Sequence, residues 1–266
     1  MTLSATEESR QGELDKVLDS QQLDFATPGE LFALVDAIDS QSALKRAFTD
    51  PAASSQAKQG LARRLFEGKV GGQALDLLVQ AAGLRWRSGR SLVDAVERQA
   101  VRAELSSAQA HGQLDEVTDE LFRFAQTVQG SPELRAALSD RSRPLSGRQE
   151  LVRNLLAGKA TGWTSSLASR AAAGRNRNFE TTVDGYLALA AQLRNRDVAK
   201  VTVAREMTDE QKARLQVALS SIAGRQVDLQ FTIDPEVIGG VRVELGNEII
   251  QGTIADRLEQ AKRQLG

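Results

Sequence analysis

A single histidine, His111, and no cysteine occur among the 266 residues. Thiolate nucleophiles, disulfides and zinc–sulfur sites are therefore excluded. A serine or threonine nucleophile needs a positioned base, and the one imidazole stands beside Gly112 in a polar stretch that reads as a solvated loop. Gly68-Lys69-Val70-Gly71-Gly72 combines glycines with a lysine. It lacks the Gly-x-x-x-x-Gly-Lys-Ser/Thr spacing and follows no strand pattern, so no phosphate cradle is expected. Gly68 and Gly158 read instead as helix stops. Gly239-Gly240 precedes a strand rather than a helix, unlike a dinucleotide fingerprint. Carboxylates are numerous but dispersed. No catalytic residue, cofactor site or metal site is expected.

Charge is more informative in its distribution than in its total. The formal net charge is −1, with 41% apolar, 26% charged and only 4% aromatic residues, the composition of an ordinary globular chain with a core. Residues 1–40 carry nine acids and two bases, whereas residues 141–178 carry eight bases and one acid. Arg85, Arg87 and Arg90 near Trp86, and Arg141, Arg143 and Arg148, could form basic patches of the kind that bind nucleic acid. Solvated helix ends explain the same arginines. Without interleaved stacking aromatics, nucleic acid is not the expected partner. The start, Met1–Arg10, is polar and acidic and lacks the pattern of a signal peptide. The apolar stretches fall far short of the roughly 20 residues a membrane span needs. The expectation is a cytosolic chain, or one held at a membrane only through partners.

The elements that position these side chains recur. Residues 30–104 align with 120–194 at a constant offset of 90 without gaps, giving 21 identities in 75 positions. Glu30-Leu31-Phe32 returns as Glu120-Leu121-Phe122, Gly68-Lys69 as Gly158-Lys159, Arg85-x-Arg87 as Arg175-x-Arg177, and Val93-Asp94 as Val183-Asp184. Self-similarity at a fixed period signals a duplicated structural unit. The unit reads as helices. Leu31, Leu34, Val35 and Ile38 line one face, as do Leu121, Phe124, Ala125 and Val128. Thr27-Pro28 with Glu30, Ser131-Pro132, and Ser146-x-x-Gln149 read as helix starts, the first and last as capping boxes. Leu92 to Gln109 is periodic enough for one helix that closes the first copy and opens the second. Two bundles are expected, 1–105 and 95–195.

After Asp197 the period becomes two. Val201 and Val203 alternate with polar neighbours, as do Val227, Leu229, Phe231 and Ile233, and then Val241, Val243 and Leu245. Gly246-Asn247 signals a two-residue hairpin. Thr208-x-x-Gln211 caps a helix carrying Leu215, Ala218, Leu219 and Ile222, with Gly224 as its stop. Ile254, Leu258, Ala261 and Leu265 form the apolar face of a closing helix. The fold class is α+β, mostly α: two tandem helical bundles, then a β-α-β-β-β-α domain over 196–266.

Within that last domain the run Asp234-Pro235-Glu236-Val237-Ile238-Gly239-Gly240-Val241-Arg242-Val243 is followed by Ile249-Ile250-Gln251-Gly252-Thr253 and Arg257-Leu258. It resembles the C-terminal signature of the ATP synthase delta subunit family, which includes the mitochondrial oligomycin-sensitivity-conferring protein. Val201-Thr202-Val203-Ala204 with Leu215 and Leu219 agrees with the strand and helix before that signature. Residues 95–195, with Pro132-Glu133-Leu134 and Arg175-x-Arg177, resemble the family's six-helix N-terminal domain. The likeness covers about 170 residues at the C-terminal side. The signature residues Asp234, Pro235, Ile238, Gly239, Gly240 and Gly252 read as fold-specifying, because proline fixes φ and glycines allow tight backbone paths.

The resemblance implies a non-catalytic delta subunit of the F-type proton-translocating ATP synthase. Such a subunit belongs to the peripheral stalk, or stator, at the cytoplasmic face of the cell membrane, and resists rotation of the catalytic head. It implies that a bundle holds the N-terminal helix of an alpha subunit and that the C-terminal domain binds the C-terminus of the b-type stalk subunit. Residues 95–195 are favoured for the alpha groove, with Val101, Leu105, Leu167 and Ala171 as its candidates. Ile254, Leu258 and Leu265 are the candidates toward the b-type subunit. The family usually has one N-terminal bundle, so the first bundle is an addition, a further stator support or a holder of another subunit. A free-standing helical adaptor and an RNA-binding protein are the rival readings.

Overall fold

The apolar stripes fold as helices wherever their period is 3.6. The structure, a computed structural model, describes residues 5–21, 23–140, 142–173, 178–194, 196–223, 226–233, 240–245 and 248–253. Eleven helices come first: α1 (Ala5–Asp19), α2 (Thr27–Ser40), α3 (Ser42–Thr49), α4 (Ser55–Phe66), α5 (Gly72–Gly83), α6 (Gly89–Ala110), α7 (Leu114–Gly130), α8 (Pro132–Ser139), α9 (Leu145–Leu156), α10 (Gly162–Ala171) and α11 (Phe179–Arg194). The starts of α3 and α8, α4 and α9, α5 and α10, and α6 and α11 each differ by the sequence offset of 90. Helix α6 is continuous through both halves, as its unbroken periodicity predicts.

The predicted faces of α2 and α7 are the buried ones. Leu31, Leu34, Val35 and Ile38 of α2 join Leu14, Leu18, Phe48, Leu77, Leu78, Leu92 and Val96 in one core. Each such side chain contributes about 1.5–3 kcal/mol by leaving water. Leu121, Val128, Val152, Leu167 and Val183 are likewise fully enclosed in the later helices.

Turn and cap chemistry recurs at the same offset. Gly68 and Gly158 take φ of 74° and 68°, a left-handed conformation that glycine adopts without strain. Lys69 and Lys159 each donate their N–H to the carbonyl three residues back, Phe66 and Leu156, at 3.0 Å. Glu30 accepts from the Gly71 N–H at 3.0 Å, and Glu120 from the Thr161 N–H at 2.9 Å. Ser131 caps α8 by accepting from the Leu134 N–H at 3.2 Å.

Two expected capping boxes are corrected. Helix α2 has Ala26 at its N-cap with no side-chain bond; Thr27 instead donates to Gln73 Oε1 at 2.7 Å, and Glu30 serves the start of α5. Helix α9 begins after Pro144, again without a side-chain cap. In both places a tertiary partner or proline geometry replaces the local bond.

The second unit is a four-stranded sheet with a helix: β1 (Arg196–Val203), α12 (Asp209–Ala223), β2 (Gln226–Ile233), β3 (Gly240–Leu245) and β4 (Glu248–Thr253). The strand order is β2-β1-β3-β4. Strands β1 and β2 run parallel and are joined through α12, while β3 pairs antiparallel with both β1 and β4. The predicted capping box forms: Gln211 N–H donates to Thr208 Oγ1 at 3.3 Å, and Thr208 N–H to Gln211 Oε1 at 2.9 Å. Ala199, Val201, Val203, Leu219, Val227 and Val243 make the core. Ile233, expected on the buried face, is 56% exposed at the end of β2. Leu245 pairs with Glu248, leaving two residues between β3 and β4. Gly246-Asn247, Gly224 and the expected closing helix lie outside the described residues.

Candidate functional site

Local sequence places the candidate groove on two helices of the first unit. Val101 and Leu105 fall one turn apart on α6, and Leu167 and Ala171 one turn apart on α10, so each pair shares a face. All four are completely buried, at 0% exposure. They form enclosed apolar seams, and the polar rim beside them is what reaches outward.

That rim is built by capping and by desolvated polar groups. Thr161 caps α10 by accepting from the Thr164 N–H at 3.2 Å. Glu120 of α7 ties down the same end, accepting from Thr161 N–H, from Thr161 Oγ1 at 3.0 Å and from Thr164 Oγ1 at 2.6 Å. Trp163 Nε1 donates to Ser107 Oγ at 3.3 Å, and its ring lies 5.3 Å from that of His111. His111 Nδ1 donates to the Ser107 carbonyl at 2.8 Å. The histidine therefore finishes α6 beside a half-open tryptophan. Burial raises the Glu104 carboxyl above its ordinary range, and a hydrogen bond from Ser166 offsets only part of this. A desolvated carboxyl thus sits on α6 next in sequence to Leu105, bonded to Ser166, the residue before Leu167 on α10.

Two charged clusters were not legible in the sequence. Arg170 of α10 is 5% exposed and donates Nε to Glu97 of α6 at 2.7 Å and Nη1 to Asp36 of α2 at 2.8 Å. Its guanidinium also lies over the Phe32 ring, 5.0 Å from the centroid. Burial opposes the arginine's charge, but Glu97 and Asp36 outweigh it and push its pKa above the usual value. The clamp joins residues of the second repeat to residues of the first. The one sequence signal was an arginine set in the small-residue run Ala168-Ser169-Arg170-Ala171-Ala172.

The other cluster surrounds Asp15 of α1. Arg98 makes a two-pronged ion pair with it, Gln99 donates to it at 2.7 Å, and Arg102 Nε lies 3.9 Å away. Burial would raise the Asp15 pKa, but Arg98, Gln99 and Arg102 outweigh burial and hold it below the carboxylate range. Its signal was an aspartate next to Leu14 on the apolar face of α1.

In the second unit, Gly240 opens β3 opposite Thr253, and Gly252 pairs with Val241, so the two glycines lie on one antiparallel ladder. Asp234, Pro235, Ile238 and Gly239 of the signature, and Ile254, Leu258 and Leu265, lie outside the described residues. Among the described residues no group of three acidic, histidine or cysteine side chains is arranged to hold a metal ion. Among them, too, no helix is long and apolar enough to cross a membrane.

Comparison with known proteins gives the family. The family model described as ATP synthase delta (OSCP) subunit matches residues 96–265. The ATP synthase subunit delta of Streptomyces avermitilis is 46% identical over 254 residues, covering 95% of this chain and 93% of that protein. The proteins of the same name from Kineococcus radiotolerans and Cutibacterium acnes are 42% and 39% identical, over 95% and 96% of this chain and 92% and 97% of theirs. The relatives span most of the residues before 96 as well as the region the family model matches. The chain belongs to the ATP synthase delta (OSCP) subunit family.

Proposed function

We propose that this chain is the delta subunit of an F-type proton-translocating ATP synthase. It works as a non-catalytic part of the peripheral stalk at the cytoplasmic face of the membrane and reaches the membrane only through partners. Family membership over residues 96–265, with relatives of that name along nearly the whole chain, carries the reading. Two bundles, 1–105 and 95–195, arise by duplication and share α6; the α+β domain of 196–266 follows. The recurring helix starts and turn glycines support the duplication.

The physical task is to resist torque. A head that makes ATP against a turning rotor rotates with it unless tied down, and a tie needs stiffness and tight contacts rather than reactive groups. Helix-in-groove contacts supply this by burying apolar stripes. The alpha subunit's N-terminal helix docks along the α6–α10 seam, over the floor made by Val101, Leu105, Leu167 and Ala171. The b-type subunit's C-terminus docks on the α+β domain through Ile254, Leu258 and Leu265. Asp234, Pro235, Ile238, Gly239, Gly240 and Gly252 specify the backbone path there rather than touching a partner.

Trp163 beside the seam provides the test. In full-length Trp86→Phe protein, Trp163 is the one remaining tryptophan. Titration with a peptide of the alpha N-terminus is expected to change its fluorescence saturably. An unchanged spectrum, with the peptide still retained elsewhere on the chain, would move the alpha site off this seam. A chain that fails to co-purify with the ATP synthase of its own cell overturns the stator reading itself.

A further inference from the structure

The Arg170 clamp joins the same two helices that carry the candidate groove. Glu97 stands one turn before Val101 on α6, and Arg170 stands directly before Ala171 on α10. The 2.7 Å bond between them therefore staples α10 to α6 within one turn of groove residues on both helices. Helix α10 has only ten residues, and Ala168, Ser169 and Ala171 among its buried residues are small. Small side chains bury little area, so apolar contact alone holds the attitude of this helix weakly. A charge-assisted pair from a guanidinium fixes direction as well as distance.

Helix α2 of the first repeat holds the guanidinium as well. Nη1 donates to the two Asp36 carboxylate oxygens at 2.8 and 2.9 Å, and the group lies over the Phe32 ring. A buried cation needs matched partners, and part of this match comes from a residue 134 positions away. At the offset of 90, Arg170, Asp36 and Glu97 correspond to Gln80, Gln126 and Leu187, so these positions carry no second copy of the clamp. We propose that Arg170 is a positioning residue through which the first repeat braces α10, and that this brace raises the affinity of the α6–α10 seam for the alpha-subunit helix without Asp36 touching that helix. The inference rests on the docking reading above and gives the added bundle its task.

The test compares the full-length chain as wild type, as Asp36→Ala and as Asp76→Ala. Asp76 is an acid of α5 outside the clamp, with a side chain 53% exposed against 56% for Asp36. Each protein is titrated with a peptide of the alpha N-terminus, and amide hydrogen exchange of α10 is followed without peptide. Asp36→Ala is expected to stay folded, to exchange its α10 amides faster and to bind the peptide about tenfold more weakly. Asp76→Ala is expected to match wild type in both measurements. In an Arg170→Met background, Asp36→Ala is expected to weaken binding no further, because its effect runs through the arginine. Unchanged affinity in Asp36→Ala, an equal loss in Asp76→Ala, or an additive loss in the Arg170→Met background overturns the brace and leaves the stator reading standing. A wild-type chain that does not bind the peptide removes the docking reading, and the brace with it.

Discussion

Residues 30–104 and 120–194 share helix starts and turn glycines, yet they bury different charges. At the offset of 90, Asp15 corresponds to Leu105, and Glu104 to Leu14. Lys58 and Arg148 occupy one equivalent position, both nearly buried. Lys58 donates to the Leu84 carbonyl at 3.4 Å, and Arg148 to those of Leu138 and Ala172 at 3.2 and 2.9 Å. Arg170 corresponds at the same offset to the exposed Gln80. Local backbone chemistry persists because a left-handed turn accepts little but glycine. Buried charge changes freely because it needs only a neighbour that matches it.

The largest contrast is expected between Arg170→Ala and Gln80→Ala. Removing a nearly buried cation takes the guanidinium away from Glu97, Asp36 and Phe32, so Arg170→Ala should cost about 3 kcal/mol, while Gln80→Ala at an exposed site should cost under about 0.5. Urea unfolding of both variants measures this. Equal costs would mean the clamp does not hold the two repeats together.

Next comes Asp15→Asn, expected to cost about 2 kcal/mol at neutral pH by leaving Arg98 and Arg102 against an amide. The folded-state pKa of Asp15 lies below its ordinary 3.8. Its stabilisation is therefore present above that value and disappears as pH falls through the folded-state value. Wild type and variant should converge in acid; a gap independent of pH would assign the loss to packing.

Gly68→Ala and Gly158→Ala should each cost about 1 kcal/mol, since alanine is strained at positive φ. A Cβ would meet nothing within 4 Å at either site, so the two costs should agree. Unequal values would break the equivalence of the turns.

The smallest effect belongs to Glu104→Gln, and it has the opposite sign to Asp15→Asn. Burial raises this carboxyl above its ordinary 4.5, so the folded state is favoured below that value and loses the advantage as pH rises through the raised one. The variant should melt slightly higher than wild type at neutral pH, with the difference vanishing in acid. A lower melting temperature at neutral pH would mean the charged carboxylate is held by partners rather than merely desolvated.

Much of the fold was legible in the residues. The 3.6 period of Leu31–Ile38 located a buried face, and the alternation through Val201, Val203 and Val227 located core strands. Thr208 and Gln211 gave a capping box that forms. Glu30 and Thr27 were misread because their side chains reach α5, more than 40 residues away, rather than their own helix. The candidate groove residues were legible as apolar positions on two helices, and their complete enclosure was not.

Periodicity, glycine turns and the internal offset thus follow from the chain alone, because each depends on neighbours within a few residues or on simple repetition. The Arg170 clamp spans 134 positions and the Asp15 network 83 or more. Whether an arginine or aspartate is solvated or enclosed depends on which distant helix lies against it, and only the packing of α10 on α2 and of α1 on α6 decided that.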